Sequence, residues 1–256
     1  MGTDSNPSRS GMAKHMRVSD PIGGAPDLDR FFKDYEQHFR HLEDYSFALR
    51  HLIACYSRGD SAEELRDAFS QVLSKVAATE KTNQKNYPGT EALFVHRGRF
   101  LESFLDALVL LSFGLCLRAP REEIVALLSY CERGDPLLEA IAGAAAPGIE
   151  QPAGPPAFYE TFDLLYDAVK ASGPLREQFV HEYLDLWYRV KMDGLSMKDT
   201  HLTEDRSDYV GYWCFEAAGV VAALHIDDHT FANHPYYPRD LVAFYRSANA
   251  EAQRDK

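Results

Sequence analysis

The densest cluster of side chains that can do chemistry lies in the last third of the chain. It consists of His225-Ile-Asp-Asp-His229, with His234 downstream and Asp199-Thr-His201 upstream. Divalent metals accept His and Asp side chains as ligands, and helical bundles can hold such sites. One hypothesis is therefore a metal-dependent, all-helical hydrolase. Its candidate ligands are His201, His225, Asp227 and His229.

The spacing of these residues matches no metalloenzyme motif. His181-Glu182 has no second histidine at the spacing of the His-Glu-x-x-His zinc motif. A polar turn after a buried helix, with Asp227 or Asp228 capping the next element, explains the cluster better, so we predict no metal and no cofactor. The chain also lacks a Gly-x-Ser-x-Gly elbow, a P-loop and a dinucleotide-binding fingerprint.

Glu216 is unusual because it is a carboxylate in an otherwise apolar segment. Trp213, Phe215 and Val220 are among its neighbours in the chain, and an unpaired buried carboxylate is costly. One interpretation is a general acid or base. We favour the other, in which Glu216 meets an Arg, a Tyr hydroxyl or a backbone donor and ties helices together.

Helical periodicity dominates the elements that must position these residues. Apolar residues between Leu28 and Tyr56 recur at steps of three and four, and Ser61 with Glu64 forms a capping-box pattern. No segment shows the sustained period of two that half-buried strands have. The sequence therefore predicts an all-α fold, an irregular multi-helix bundle. Further helices are predicted at 91–117, 121–131, 136–145, 158–171, 174–190, 209–224 and 238–248.

A Pro/Gly-rich segment divides the chain into two helical halves. Residues 147–156 (PGIEQPAGPP) hold four prolines and two glycines, which is typical of a linker. Residues 1–25 are polar and without periodicity, as in a flexible tail. The predicted parts are a tail (1–25), an N-terminal helical domain (26–146), a linker (147–157) and a C-terminal helical domain (158–256).

The sequence favours a cytoplasmic protein with no membrane partner. Residues 209–226 are apolar for long enough to span a bilayer, but Glu216 in the middle makes a core helix the better interpretation. The N-terminus has no apolar secretory segment. The four cysteines form no Cys-x-x-Cys pair, which suits a reducing compartment.

The chain is acidic, and most of the excess charge follows the linker. Its 256 residues include 39 Asp+Glu and 27 Lys+Arg, a formal net charge of −12. Residues 1–149 hold 21 acidic and 17 basic residues, and residues 150–256 hold 18 and 10, which gives −4 and −8. A nucleic-acid ligand is disfavoured, because gripping phosphates needs a basic face. An acidic field instead speeds association with a basic partner.

A long motif in the C-terminal half resembles a known family. It runs Tyr209-Val-Gly-Tyr-Trp-Cys-Phe-Glu-Ala-Ala-Gly-Val-Val221, then Ile226-Asp-Asp, then His234-Pro-Tyr-Tyr-Pro-Arg-Asp-Leu-Val242. Over residues 180–246 the chain resembles the C-terminal domain of PoNi-type immunity proteins, the cognate inhibitors of PoNe-type DNase toxins. The resemblance implies mainly structural roles for the signature residues. These are Gly211, Tyr212, Trp213, Phe215, Glu216, Pro238 and Asp240.

The resemblance implies a non-enzymatic, all-helical, cytoplasmic protein made beside a toxin that passes between bacteria, commonly through a type VI secretion system. Such proteins bind the nuclease domain, which belongs to the PD-(D/E)xK class and itself carries the metal and the catalysis. A further alternative is a helical adaptor that chaperones a secreted protein without inhibiting it. The sequence leaves a monomer and a homodimer equally open.

The predicted toxin-binding residues lie on acidic and aromatic loops on both sides of the 209–224 segment. A DNase needs a basic surface for DNA, and carboxylates on an inhibitor can be presented to that surface. Tight binding additionally needs buried aromatic or Arg anchors. The candidates are Asp199, His201, Glu204, Asp205, Asp208, Asp227, Asp228, Tyr236 and Tyr237.

Overall fold

A computed structural model describes residues 45–86, 94, 101–203 and 209–254, and nearly all of its regular structure is helical. The predicted all-α class is confirmed, since no strand runs through these residues. The predicted tail (1–25) and the first part of the helix predicted from Leu28 lie outside them. The helices are α1 (Tyr45–Arg58), α2 (Ala62–Asn86), α3 (Leu101–Cys116), α4 (Arg121–Leu128), α5 (Pro136–Ala145), α6 (Tyr159–Lys170), α7 (Pro174–Leu186), α8 (Phe215–Leu224) and α9 (Arg239–Arg254).

Helices α3 and α8 form the centre of the core. Both are buried over nearly their whole length, as their all-round apolar sequences predict. A Cβ at Gly219 of α8 would overlap the Ser112 hydroxyl of α3 and lie 3.0 Å from Ile141 of α5. The absent side chain lets the three helices approach closely. Helices from both sides of the Pro/Gly segment thus share one core, and the division into two domains stays a prediction.

Side-chain hydrogen bonds cap the N-termini of α2 and α5. At α2, the Ser61 amide donates to Glu64 at 2.8 Å and the Glu64 amide donates to the Ser61 hydroxyl at 3.3 Å, which confirms the capping box. Asp135 caps α5, because it accepts from the amide of Leu137 at 2.8 Å. The other oxygen of Asp135 accepts from the Tyr166 hydroxyl at 2.6 Å. Asp135 therefore joins α5 to α6 across the exposed linker.

The helix predicted at 209–224 begins only at Phe215, so the prediction was wrong for its first six residues. Gly211 has a φ of +102°, which a right-handed helix cannot contain. The Trp213 indole donates to Ser57 of α1 at 2.7 Å, and the Ser57 hydroxyl donates to the Val210 carbonyl at 2.5 Å. These contacts hold 209–214 on α1 in a non-helical path. An apolar run without clear periodicity gave no sign of this break.

Within the described ranges, no helix combines the length and the apolar character that crossing a bilayer requires.

Candidate protein-binding surface

The predicted metal ligands do not come together. His201 is buried, with its Nδ1 3.0 Å from the Tyr212 hydroxyl. His225 is the exposed C-terminal cap of α8, and its ring stacks on Tyr245. Among the residues that the structure describes, no three His, Cys, Asp or Glu side chains are grouped to hold a metal ion. The ligand set of the hydrolase hypothesis is therefore not assembled here.

Asp227 and His229 form a polar turn after α8, as the alternative interpretation predicted. The amide of His229 donates to Asp227 at 3.1 Å, and the His229 ring lies 3.2 Å from the same carboxylate. The backbone hydrogen bond holds the pKa of Asp227 below its ordinary value. Asp227 is exposed, so its charge is available to a partner.

Asp228 and Tyr237 lie in the interior. The Tyr237 hydroxyl donates to Asp228 at 2.8 Å, and Arg246 of α9 donates to its second oxygen at 2.7 Å. Burial, followed by the charge of Asp228, raises the pKa of Tyr237 well above its ordinary value. These residues join the turn after α8 to α9. Toxin contact by this buried pair stays a prediction, although neither side chain offers much surface.

Glu216 has two side-chain donors in the core, a tyrosine hydroxyl of the kind expected from the sequence and a tryptophan indole that was not expected. Its Oε1 accepts from the Tyr183 hydroxyl at 3.1 Å and from the Trp187 indole at 2.6 Å. Burial raises the pKa of Glu216, while its hydrogen bonds partly offset that effect. The carboxylate therefore ties α8 to the end of α7. This structural role explains the buried Glu216 without a role in binding a substrate.

A five-residue π-helix (Trp187–Lys191) continues α7 and controls which aromatic side chains face outward. The Met192 amide donates to the Trp187 carbonyl at 2.9 Å, the wider spacing of a π turn. Trp187 points into the core, and Lys191 is held by the carboxylate of Asp163 at 2.7 Å. Tyr188 is consequently left half-buried at the surface.

Tyr188 is the centre of a surface aromatic group. Its ring stacks on Tyr236, with centroids 5.4 Å apart and planes 19° apart, and contacts Tyr212 at 5.0 Å. Its hydroxyl donates to Asp199 at 2.7 Å, and Asp199 is exposed with a left-handed φ of +62°. Tyr188 was not among the candidate site residues chosen from the sequence. Sequence reasoning missed this role because nothing in the local sequence indicates the π turn.

A cavity of about 300 Å³ adjoins the same region between α1, α3 and the Thr200 turn. Thr200 and Tyr212 line it, and their hydroxyls lie 3.1 Å apart. Glu102 on its wall accepts a hydrogen bond from the Ser196 amide at 2.7 Å. The cavity therefore borders the turn that carries Asp199.

Most of the signature residues lie in the interior, and a structural role for them stays a prediction. Tyr212, Phe215, Glu216 and Pro238 are buried, whereas Asp240 is exposed in the first turn of α9, where a carboxylate favours a helix N-terminus. The site candidates outside the described residues are Glu204, Asp205 and Asp208.

The structure defines an all-helical protein, and the acidic and aromatic side chains that reach the surface around α8 suit a protein-binding class. Family comparison agrees with this class. The model of PoNe immunity proteins (PoNi), C-terminal, matches residues 134–241, and the model of PoNe immunity protein (PoNi), N-terminal, matches residues 28–129. The chain belongs to the PoNe immunity protein family.

A solved structure shares the fold. The crystal structure of protein PA2201 from Pseudomonas aeruginosa matches with a TM-score of 0.59 and 20% sequence identity, over 87% of this chain and 84% of that one. No curated protein sequence matches the chain.

Proposed function

We propose that this protein confers immunity by binding a PoNe nuclease toxin and neutralising it. The observation that carries the proposal is the match of both PoNi family models, which together extend over residues 28–241. In the finer proposal, the toxin is a DNase of the PD-(D/E)xK class delivered by a type VI secretion system. The immunity protein acts in the cytoplasm, without catalysis of its own.

The charge of the chain supports this proposal. A net charge of −12 opposes the basic surface that a DNA-cleaving domain needs. Opposite charges accelerate encounter and make the association rate fall as salt rises. The protein thus competes with DNA for the toxin.

The proposed contact residues are the exposed ones on the loops before and after α8. Asp199, Asp227 and Tyr236 reach the surface, whereas His201, Asp228 and Tyr237 contribute by holding these loops in place. The acidic stretch of Glu204, Asp205 and Asp208 completes the predicted set from the sequence.

A DNA-cleavage assay tests the proposal. The purified nuclease domain of a cognate PoNe toxin is mixed with rising amounts of the protein. We expect cleavage to stop near one equivalent. Complete cleavage in the presence of excess protein would overturn the proposal. A stable complex that still cleaves DNA would instead identify an adaptor.

Charge reversal tests the contact residues. Changing Glu204, Asp205 and Asp208 to Lys together should slow association with the nuclease domain. The matched control changes Glu63, Asp67 and Glu122, exposed acids of α2 and α4, to Lys. Both variants alter the net charge equally, so an equal effect on the association rate would discard this contact surface.

A further inference from the structure

Tyr188 and Tyr236 form a rigid aromatic platform at the surface. Their rings stack on each other, and both are half-buried, so each keeps part of its surface in water. Tyr212 supports Tyr188 from the core side at 5.0 Å, and Trp187 packs on Tyr236 at 5.3 Å. Aromatic side chains fixed in this way lose little conformational entropy when a partner binds.

Leu202 adds exposed apolar area on the short turn that follows Asp199. Its side chain is 62% exposed, the highest value among the large apolar residues that the structure describes. It ends the short turn that begins after Asp199, and its amide donates to the Asp199 carbonyl at 2.9 Å. The intervening His201 ring contacts Tyr188. We call Tyr188, Asp199, Leu202 and Tyr236 the tyrosine surface.

The charges around the tyrosine surface favour a cation. Asp199 uses Oδ1 to accept from Tyr188, and its Oδ2 has no hydrogen bond to any described residue. The largely exposed carboxylate of Asp185 lies 3.5 Å from the ring of His234, and that ring contacts Tyr236. Arg189 is the opposing charge, close enough to lower the pKa of Tyr236 against the effect of burial.

An arginine side chain fits this arrangement best. A guanidinium can lie on a tyrosine ring while it pairs with a carboxylate, which a compact ammonium does less well. A surface that grips DNA phosphates carries such cations. The C-terminal part of the chain, residues 150–256, carries a net charge of −8, which attracts a basic face.

We infer that the tyrosine surface is the central contact for the toxin and that it takes an arginine-bearing segment of the nuclease domain. The inference rests on the proposed function and deepens it. Leu202 and the two rings exclude water around the contact, and Asp199 supplies the charge partner. Such a centre carries most of the binding energy of a protein interface.

Affinity for the nuclease domain tests the inference, with three variants of the full chain. Leu202→Arg places a positive charge beside the platform, where it repels the arginine of the nuclease domain. It should weaken binding by about tenfold or more. Asp199→Asn keeps a residue that tolerates positive φ, removes the charge, and should weaken binding by about tenfold. Arg189→Gln removes the opposing cation and should tighten binding.

Leu175→Arg is the matched control, since Leu175 is 52% exposed and lies about 20 Å along the helix from Tyr188. It should leave the affinity within about twofold of the unchanged protein. If Leu202→Arg and Asp199→Asn both bind like this control, the inference is wrong and the proposed function stands. Weaker binding by Arg189→Gln would exclude a cationic occupant. If the unchanged protein fails to bind the nuclease domain, the proposed function fails as well.

Discussion

The indole N–H of Trp187 donates a 2.6 Å hydrogen bond to the carboxylate of Glu216. The same oxygen accepts from the Tyr183 hydroxyl at 3.1 Å, and Glu216 is only 1% exposed. This contact fixes the start of the π-helix against α8. It therefore couples a buried acidic residue of the core to the position of Tyr188 at the surface.

Glu216→Ala should destabilise the protein by about 3 kcal/mol, because it leaves two buried donors unsatisfied. Urea denaturation followed by circular dichroism measures the change. Glu182→Ala, at an exposed position of α7, is the control and should change the free energy of unfolding by less than about 0.5 kcal/mol. Equal effects of the two substitutions would show that the hydrogen bonds of Glu216 do not stabilise the packing of α8.

Glu216 also makes stability depend on pH, and Glu216→Gln should remove that dependence. Burial raises its pKa in the folded chain above the unfolded value of about 4.3. As pH rises, the unfolded chain loses this proton first, so stability falls between the unfolded and the folded pKa. Relative to the unchanged protein, Glu216→Gln should therefore gain stability from pH 4 to pH 7. A constant difference in unfolding free energy over this range would contradict the assignment.

Local signals in the sequence were sufficient for much of the fold. The capping box at Ser61 and the bounds of the helix at 136–145 follow from local chemistry, and both are present as predicted. The need of Glu216 for polar partners followed from the cost of burying a carboxylate. Its actual donors, Tyr183 and Trp187, required the tertiary structure.

The candidate surface could not be predicted to the same degree. The contact between Tyr188 and Tyr236 depends on a π turn and on a loop distant in the chain, and neither leaves a local pattern. Asp228 looked like an exposed loop acid, because its partner Arg246 lies on a different helix. Composition located the acidic half of the molecule, but only packing separates its buried acids from its exposed ones.

Tyr237→Phe should reduce the stability of the protein without changing its association with the toxin. The substitution removes the hydroxyl that donates to buried Asp228, which should cost about 1–2 kcal/mol in unfolding free energy. The association rate with the nuclease domain should stay within about twofold of the unchanged protein. Tyr236→Phe is a matched control for stability, because the Tyr236 hydroxyl makes no hydrogen bond within the described residues. A slower association rate for Tyr237→Phe would show that Tyr237 belongs to the contact surface.

Gly219→Ala should destabilise the contact between α3 and α8. Its Cβ would overlap the Ser112 hydroxyl, at a cost of about 1–3 kcal/mol that exceeds the gain in helix propensity. Ser112→Gly removes the overlapping atoms, so the double variant should be more stable than the sum of the single effects by about 1 kcal/mol or more. Urea denaturation of all four proteins measures this coupling. Additive effects would mean that the helices separate to accommodate the side chain.

The four cysteines should react with a thiol reagent only after unfolding. All four are buried, and burial raises the pKa of Cys55 to about 12 and that of Cys131 to about 12, far above the ordinary thiol value of about 8.5. Little reactive thiolate is therefore present at neutral pH. DTNB should label less than one thiol per chain in the native protein and all four in denaturing urea. Rapid labelling of one native thiol, mapped by mass spectrometry, would locate a segment that opens without global unfolding.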